Sequence, residues 1–203
     1  NWQRMAQDDF KWWRQRFEQM SAYFDAFRID HILGFFRIWS IPMHAVEGIM
    51  GYFVPALPVH INEFGQRGMW FDYQRLCRPF INDSVLAELM GGDTELLKPY
   101  LNDIGEGRFE LKEEFNTQRK VEAYFEQLEK NEQNNRIKIG LFDCISNVIF
   151  FEVEGSNGQQ FHFRISMSST TSFRYLDDDS KRKLDDLYVN YFFRWQDEFW
   201  RKE

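Results

Sequence analysis

Residues Tyr23–Pro42 read YFDAFRIDHILGFFRIWSIP, and their pattern is the strongest indication of a fold class in the chain. Its first part, Phe24–Ile29, is a short run rich in aromatic and β-branched residues, a composition typical of a buried strand. A long helical pattern precedes this run, and a helix followed by a strand is the order of a repeating α/β fold. The sequence therefore predicts a strand over Phe24–Ile29, followed at once by a polar cluster.

That polar cluster consists of Arg28, Asp30 and His31. Because Arg28 and Asp30 are two residues apart, both leave an extended strand by the same face, and the guanidinium can fork onto the carboxylate. Such a pair would keep Asp30 ionised. An ionised, oriented carboxylate at the carboxyl end of a barrel strand is a position for an enzyme's nucleophile or general base. On spacing alone, a structural ion pair at a strand end explains the same residues equally well.

A longer set of residues around the cluster keeps the spacing of a known signature. The set comprises Trp12, Trp13, Arg16, Arg28, Ile29, Asp30, His31, Gly34, Phe35, Trp39 and Pro42. It resembles the signature of the 4-alpha-glucanotransferases of glycoside hydrolase family 77, the amylomaltases or disproportionating enzymes. The version with Ile32-Leu33 after the histidine and Phe36-Arg37-Ile38 before the tryptophan is similar to the subgroup typified by the plant cytosolic disproportionating enzyme and its bacterial relatives.

The resemblance implies a fold and a reaction. The fold would be α/β, a partial (β/α)8 TIM barrel that holds the nucleophile strand and its flanking helices, with a long α+β insertion. The reaction would be transfer of α-1,4-glucan segments between maltodextrins, with retention, by a double displacement through a glycosyl-Asp30 intermediate. Asp30 would be the nucleophile and Arg28 would orient it. The substrate-binding residues would be His31, Gly34, Phe35 and Trp39, and no metal or organic cofactor would be needed.

A second carboxyl group is required for this chemistry. Retaining glycosidases place two carboxyls about 5–5.5 Å apart, one as nucleophile and one as acid/base. The family's acid/base glutamate lies in a Gly-Glu-Asp-Leu-Gly-type motif, which is absent between Asn1 and Glu203. Glu47 and Glu63 follow Asp30 but lack the surrounding pattern. We therefore expect the chain to be an internal piece of a longer enzyme and to be inactive by itself.

Two other functions stay open at this point. One is an α-glucan hydrolase of a related barrel type, which differs from a transferase only in the nucleophile that reaches the intermediate. The other is a non-catalytic carbohydrate-binding module, in which aromatic rings serve as platforms and Asp30 belongs to a structural ion pair. The chain has 7 Trp and 22 Phe, and core packing accounts for most of the Phe because this residue type is so often buried.

The composition restricts the classes of binding partner and the cellular compartment that we expect for the protein. A net charge of −7 with both signs mixed along the chain argues against a nucleic-acid partner. No apolar run reaches transmembrane length, so no membrane partner is expected. Cys77 and Cys144 have no metal-type spacing and are typical of free thiols in a reducing cytoplasm. His44 and His60 lack ligand partners at helical spacing, so no metal site is expected. Nothing in the sequence bears on the oligomeric state.

The pattern of elements predicts three regions. Residues 1–80 would belong to the barrel, 81–173 would form the insertion subdomain, and 174–203 would be a helix that returns to the barrel. The predicted helices are Trp2–Tyr23, Ser84–Met90, Thr117–Asn131 and Ser180–Glu203. The predicted β runs are Ile137–Phe142, Val148–Val153 and Gln160–Ile165. A turn at Gly155–Gly158 makes the last two runs a hairpin.

Overall fold

The computed structural model describes residues 2–30 and 37–202 of the chain, which form a mixed arrangement of helices and sheets. By packing, the chain divides into two units, Asn1–Phe35 and Phe36–Glu203. The first unit contains α1 (Trp2–Ala6) and α2 (Lys11–Ser21). The two helices are separate because Asp9 and Phe10 both have a positive φ of 54°. The helix predicted over Trp2–Tyr23 is therefore present but broken.

The strand predicted over Phe24–Ile29 is wrong for the structure of this chain. These residues have no regular secondary structure, and all of them are exposed. A strand is stable only where neighbouring strands take up its backbone hydrogen-bonding groups and cover its apolar face. No strand of the described residues pairs with this segment. A local contact holds it instead, since the ring of Phe27 stacks on that of Phe17 in α2 with 4.9 Å between centroids.

The second unit contains eight strands and eight α-helices among its described residues. The strands are β1 (Ile38–Ser40), β2 (Tyr52–Val54), β3 (Val59–His60), β4 (Ile81–Asn82), β5 (Leu101–Gly105), β6 (Arg108–Leu111), β7 (Phe150–Glu152) and β8 (Gln160–Phe163). The helices are α3 (Asn62–Gln66), α4 (Tyr73–Cys77), α5 (Asp83–Met90), α6 (Gln118–Phe125), α7 (Glu132–Ser146), α8 (Thr171–Arg174), α9 (Asp178–Asn190) and α10 (Gln196–Lys202). A π-helical turn, Tyr191–Trp195, joins α9 to α10.

The strands form three small sheets with the orders β1-β2, β3-β8-β7 and β4-β6-β5. Every pairing within the described residues is antiparallel. The predicted hairpin is confirmed, because β7 and β8 pair with Phe150 opposite Phe163 and Glu152 opposite Phe161. Its turn depends on Gly155 and Gly158, whose φ values of 77° and 72° favour glycine.

Two hydrophobic cores hold this unit together. The first joins residues 45–50 to apolar side chains between 81 and 145, including Leu86, Leu97 and Leu141. The second joins residues 59–76 to side chains between 149 and 191, including Phe150 and Phe161. Both cores therefore cross the predicted boundary between residues 80 and 81. Packing within this unit does not separate residues 81–173 from those around them. The division at 80 and 173 concerns the whole protein and stays a prediction.

The β run predicted over Ile137–Phe142 is wrong, because these residues lie inside α7. Asn131 caps the start of α7, because its side chain accepts a hydrogen bond from the backbone N–H of Asn134 at 2.8 Å. The buried side chains of Ile137, Leu141 and Cys144 recur at helical spacing. Helical packing against the first core has therefore overridden the local β-branched composition.

The other helix predictions are confirmed with changed ends. Helix α5 begins at Asp83 with Asn82 as its cap, one residue before the predicted start. Helix α6 is capped by Thr117 but ends at Phe125 instead of Asn131. The helix predicted over Ser180–Glu203 is present as α9, the π-helical turn and α10. The turn places Tyr191 and Gln196 in buried positions.

Candidate active site

The two residues predicted to carry the chemistry lie side by side. The Nε of Arg28 donates to Oδ1 of Asp30 at 2.5 Å. Both side chains are exposed, Arg28 at 87% and Asp30 at 73%. Exposed ion pairs typically contribute about 0–1 kcal/mol to folding, so the fold of the first unit does not depend on this one. The second carboxylate oxygen of Asp30 makes no hydrogen bond to the part of the chain that the structure describes.

His31, Gly34 and Phe35 were predicted to bind substrate, and they lie outside the described residues. Their roles stay predictions. Trp39, the fourth predicted substrate-binding residue, lies in β1 and belongs to the second unit.

Trp39 fixes the hairpin formed by β1 and β2. Its indole N–H donates to the carbonyl oxygen of Gly48 at 2.8 Å. Its ring meets that of Phe53 edge to face, with 4.8 Å between centroids. The ring also lies against the backbone of Gly51, where an added Cβ would approach the indole nitrogen to 2.4 Å. Trp39 is half-buried, so it anchors the hairpin while part of its surface stays accessible.

The two glutamates that follow Asp30 in sequence are both engaged elsewhere. Gln118 Nε2 donates to the carboxylate of Glu47 at 2.6 Å, and its Oε1 accepts from the backbone N–H groups of Val46 and Glu47 at 2.9 and 3.0 Å. Glu63 forms an ion pair with Arg67 within one helical turn. These contacts give both carboxylates a structural role.

The sequence did not predict the cation–aromatic cluster that lies beside Trp39. Arg37 lies over the ring of Trp200, with its Cζ 4.0 Å from the centroid, and over Phe53 at 5.5 Å. The spacing of Arg37 and Trp39 was an available signal, because residues two apart share one face of a strand. Trp200 gave no such signal, since it comes from α10 near the other end of the chain.

The sequence also did not indicate that His162 is a buried histidine. His162 in β8 is 6% exposed. Its Nδ1 lies 2.7 Å from the hydroxyl oxygen of Tyr191, and its ring stacks on Tyr52 with 4.6 Å between centroids. Burial lowers the pKa of His162 to about 4, because the charged form loses its hydration. His162 is therefore neutral near pH 7 and acts as a packing residue of the second core.

The described residues contain no group of three side chains placed to hold a metal ion. His44 and His60 are exposed, and the Nδ1 of His60 accepts from the backbone N–H of Asn62 at 3.2 Å. Cys77 and Cys144 are both free thiols. Burial raises the pKa of each to about 12, which disfavours the reactive thiolate.

Two of the depressions on the surface of the described residues are open to solvent. One, of about 480 Å³, is lined by Glu113, Glu114, Lys120, Ala123, Tyr124 and Gln127. The other, of about 540 Å³, is lined by Arg4, Met5, Gln7 and Asp8. Neither includes Asp30, whose carboxylate lies on open surface. Among these residues no helix combines the length and apolar character that crossing a membrane requires.

Comparison with known proteins gives a consistent set of matches. The model of the 4-alpha-glucanotransferase family, glycoside hydrolase family 77, matches residues 1–203. A rice protein (Oryza sativa subsp. japonica), 4-alpha-glucanotransferase DPE2, is 37% identical over 207 residues, which cover 100% of this chain and 22% of that protein. A chloroplastic/amyloplastic 4-alpha-glucanotransferase of Solanum tuberosum is 39% identical over 51 residues, 25% of this chain and 9% of that protein.

A 4-alpha-glucanotransferase of Chlamydia pneumoniae is 41% identical over 39 residues, 19% of this chain and 7% of that protein. No solved structure matches the chain. The match to the rice protein thus includes the whole of this chain but less than a quarter of the rice protein.

Proposed function

The chain belongs to the 4-alpha-glucanotransferase family, glycoside hydrolase family 77, and from that membership we propose that it is the nucleophile-bearing part of an enzyme that transfers α-1,4-glucan segments between maltodextrins. The observation that carries the proposal is the family match over residues 1–203, together with 37% identity to the rice transferase along the whole chain. The contact between Arg28 and Asp30 supports it, because it orients a carboxylate on open surface.

In the first step, one oxygen of the Asp30 carboxylate attacks the anomeric carbon of the donor glucan. The glycosidic bond breaks, a glycosyl ester forms on Asp30, and the leaving oxygen takes a proton from the acid/base carboxyl of the whole protein. In the second step, a hydroxyl group of the acceptor glucan attacks the same carbon and gives its proton back to that base. The ester bond breaks, which regenerates the Asp30 carboxylate and retains the configuration at the anomeric carbon.

Arg28 has a positioning role in this proposal. Its Nε–H holds Oδ1 of Asp30, so the carboxylate is fixed through one oxygen and can attack with the other. Fixing the nucleophile in this way lowers the entropic part of the barrier. His31, Gly34, Phe35 and Trp39 would bind the sugar units on either side of the scissile bond.

For the whole protein we propose a (β/α)8 barrel that includes residues 1–80, an insertion subdomain over 81–173, and a helix at 174–203 that returns to the barrel. Exposed apolar side chains before Asp30 support this. Tyr23 is 82% exposed, Phe24 62% and Phe27 46%. Exposed apolar patches mark surfaces that bind another protein surface or a ligand, and the rest of the barrel would supply such a surface.

We also propose that the protein is cytoplasmic and needs no cofactor, nucleic acid or membrane. The free thiols of Cys77 and Cys144 support a reducing compartment. The substrate class follows from the family, whose members named above are 4-alpha-glucanotransferases.

Incubation of the full-length protein with maltotriose tests the reaction. Transfer produces glucose and longer maltodextrins while the number of reducing ends stays constant, because each broken glycosidic bond is replaced by another. Hydrolysis raises the number of reducing ends, and a binding module leaves the maltotriose unchanged. We expect new longer maltodextrins at a constant number of reducing ends. A rise in the number of reducing ends as maltotriose is consumed would instead identify a hydrolase.

A further inference from the structure

One face of the hairpin formed by β1 and β2 carries a cation between aromatic rings. Trp39 and Phe53 lie opposite each other in the two strands. Arg37 lies directly before β1, two residues before Trp39, and its guanidinium is on the face that carries Phe53. Phe53 contacts both of them, with its ring centroid 4.8 Å from that of Trp39 and 5.5 Å from the Cζ of Arg37.

Trp200 of α10 completes this cluster. The guanidinium of Arg37 lies over the indole of Trp200, with 4.0 Å from Cζ to the ring centroid. Two contacts fix the indole: its N–H donates to the carbonyl oxygen of Pro55 at 2.8 Å, and Phe53 meets it edge to face at 5.3 Å. The platform under Arg37 therefore has one orientation.

The N–H donors of Arg37 have no acceptor among the residues that the structure describes. A guanidinium has five N–H donors in a planar fork, yet within the described residues 2–30 and 37–202 Arg37 contacts aromatic rings and forms no hydrogen bond or ion pair. Arg75 provides a comparison within the same chain. It stacks on Phe80 at 3.9 Å, and its donors bond to the hydroxyl oxygen of Ser172 at 2.7 Å and to the Ser172 carbonyl oxygen at 2.5 Å.

The two arginines are stacked alike but differ in what their donors do. The donors of Arg75 are taken up by a neighbouring element, as expected of a structural residue. Those of Arg37 are held in a fixed plane, half-exposed, next to a tryptophan predicted to bind substrate. Holding a donor fork in place before a ligand arrives reduces the entropy lost on binding.

On this geometry, and resting on the proposed glucan transfer, we propose that Arg37 is a further substrate-binding residue. Its stacked guanidinium donates hydrogen bonds to hydroxyl groups of the α-1,4-glucan, and Trp200 is the positioning residue that holds it. Glucans fit this site because neighbouring hydroxyl groups offer two acceptors to one planar fork. The adjoining rings offer apolar faces to the C–H side of the sugar.

The test uses the full-length protein and steady-state transfer from maltotriose. Arg37→Met keeps most of the side-chain length but removes the donors, and Arg37→Lys keeps the charge without the fork. We expect Arg37→Met to raise KM and to lower kcat/KM about tenfold to hundredfold, as for a lost hydrogen bond from a charged group. Arg37→Lys should recover only part of this loss. Arg78→Met is the matched control, since Arg78 also lies over a ring, that of Tyr73 at 5.5 Å, and it should keep the wild-type kcat/KM.

Trp200 is tested through its coupling to Arg37. Trp200→Leu removes the platform, and Trp200→Phe keeps a ring while losing the bond to Pro55. If Trp200 acts through Arg37, its replacement should lower kcat/KM in the wild-type background and add little in the Arg37→Met background. A structural role alone would instead lower Tm in both backgrounds while kcat/KM per folded molecule stayed unchanged, and that result would overturn the positioning role.

The same measurements distinguish a protein that transfers no glucan from one in which Arg37 does not bind the substrate. A wild-type protein that transfers no glucan would contradict both the proposed transfer and the role of Arg37. The wild-type protein could instead transfer glucan while Arg37→Met keeps KM and kcat/KM within about twofold of wild type, a difference of about 0.4 kcal/mol. That result would show that Arg37 does not bind the substrate, and it would leave the proposed transfer intact.

Discussion

Gln196 pairs with both backbone polar groups of Leu57. Its Oε1 accepts from the Leu57 N–H at 2.9 Å, and its Nε2 donates to the Leu57 carbonyl oxygen at 2.7 Å. Gln196 is 1% exposed and follows directly on the π-helical turn that joins α9 to α10. The side-chain amide thus gives the segment between β2 and β3 the pair of hydrogen bonds that a neighbouring strand would otherwise provide. It also holds this segment against α10, close to the hydrogen bond from Trp200 to Pro55.

Gln196→Leu should destabilise the chain. The substitution keeps the apolar volume but leaves a backbone donor and acceptor without partners, which costs about 1–3 kcal/mol. Urea unfolding followed by tryptophan fluorescence measures the change. Gln127→Leu is the control, because Gln127 is an exposed amide that donates only to the carbonyl oxygen of Ala123, four residues earlier, among the described residues. This variant should shift the unfolding free energy by less than about 0.5 kcal/mol. Equal shifts for the two variants would contradict the role given to Gln196.

Gly140 shows why a local pattern was misleading at α7. The run Ile137–Phe142 is rich in isoleucine, as strands are, but Gly140 lets the helix approach Met90 of α5 and Leu97 closely. A Cβ at position 140 would lie 2.7 Å from the sulfur of Met90 and 3.3 Å from a Leu97 methyl carbon. That contact joins distant parts of the chain, and a window of six residues contains no information about it.

Gly140→Val should therefore lower stability by about 1–3 kcal/mol through overpacking. Gly65→Val in α3 is the matched control, since nothing lies within 4 Å of a Cβ built at that glycine. This second change should stay within about 0.5 kcal/mol of wild type. Thermal unfolding of both variants compares them directly. A Gly140→Val protein as stable as Gly65→Val would show that α5 and α7 are not packed closely at this point.

Helices and turns set by residues close together in the sequence were predicted correctly. Elements that depend on distant partners were missed or predicted wrongly. The hairpin of β7 and β8 follows from the turn at Gly155–Gly158, and α6 follows from apolar residues at helical spacing within Thr117–Asn131. By contrast, a strand at Phe24–Ile29 requires neighbouring strands, and no described residue supplies them. In the site, the contact between Arg28 and Asp30 was predicted because it spans two residues.

His162 should make stability dependent on pH. Its pKa is lowered to about 4 in the folded chain, against about 6.5 in an unfolded one. Between these two pKa values the unfolded state binds more protons, so the free energy of unfolding rises with pH. The contribution of His162 to that free energy is lost as pH falls from about 6.5 to about 4. The loss from this residue is about 3 kcal/mol.

Carboxylates also titrate at the lower end of that window, so the measurement is the difference between wild type and His162→Gln. Chemical unfolding at several pH values between about 4 and 7 gives the free energy of each protein. The variant should lose the part of the pH dependence that belongs to His162, and so fall less steeply with acid than wild type. Parallel curves for the two proteins would show that His162 is not held neutral between Tyr52 and Tyr191.

The last prediction separates the catalytic role of Asp30 from a structural one. Asp30→Asn in the full-length protein should abolish glucan transfer, because an amide of nearly the same shape cannot form the glycosyl ester. Stability should change by less than about 1 kcal/mol, as expected for an exposed ion pair, since the carboxylate and Arg28 are both exposed in the structure. The measurements are maltotriose turnover and Tm on the same preparation.

Asp25→Asn is the matched control, because Asp25 is another exposed aspartate in the same segment. It should keep both turnover and Tm. If Asp30 served only as a structural partner of Arg28, Asp30→Asn would lower Tm while each folded molecule kept its activity. A variant that retained more than about a tenth of the wild-type turnover, a barrier change below about 1.4 kcal/mol, would remove Asp30 from the role of nucleophile. Loss of turnover at unchanged Tm, with Asp25→Asn fully active, is the result that the exposed Arg28–Asp30 contact predicts, since a pair that stabilises the fold so little is free to serve the reaction.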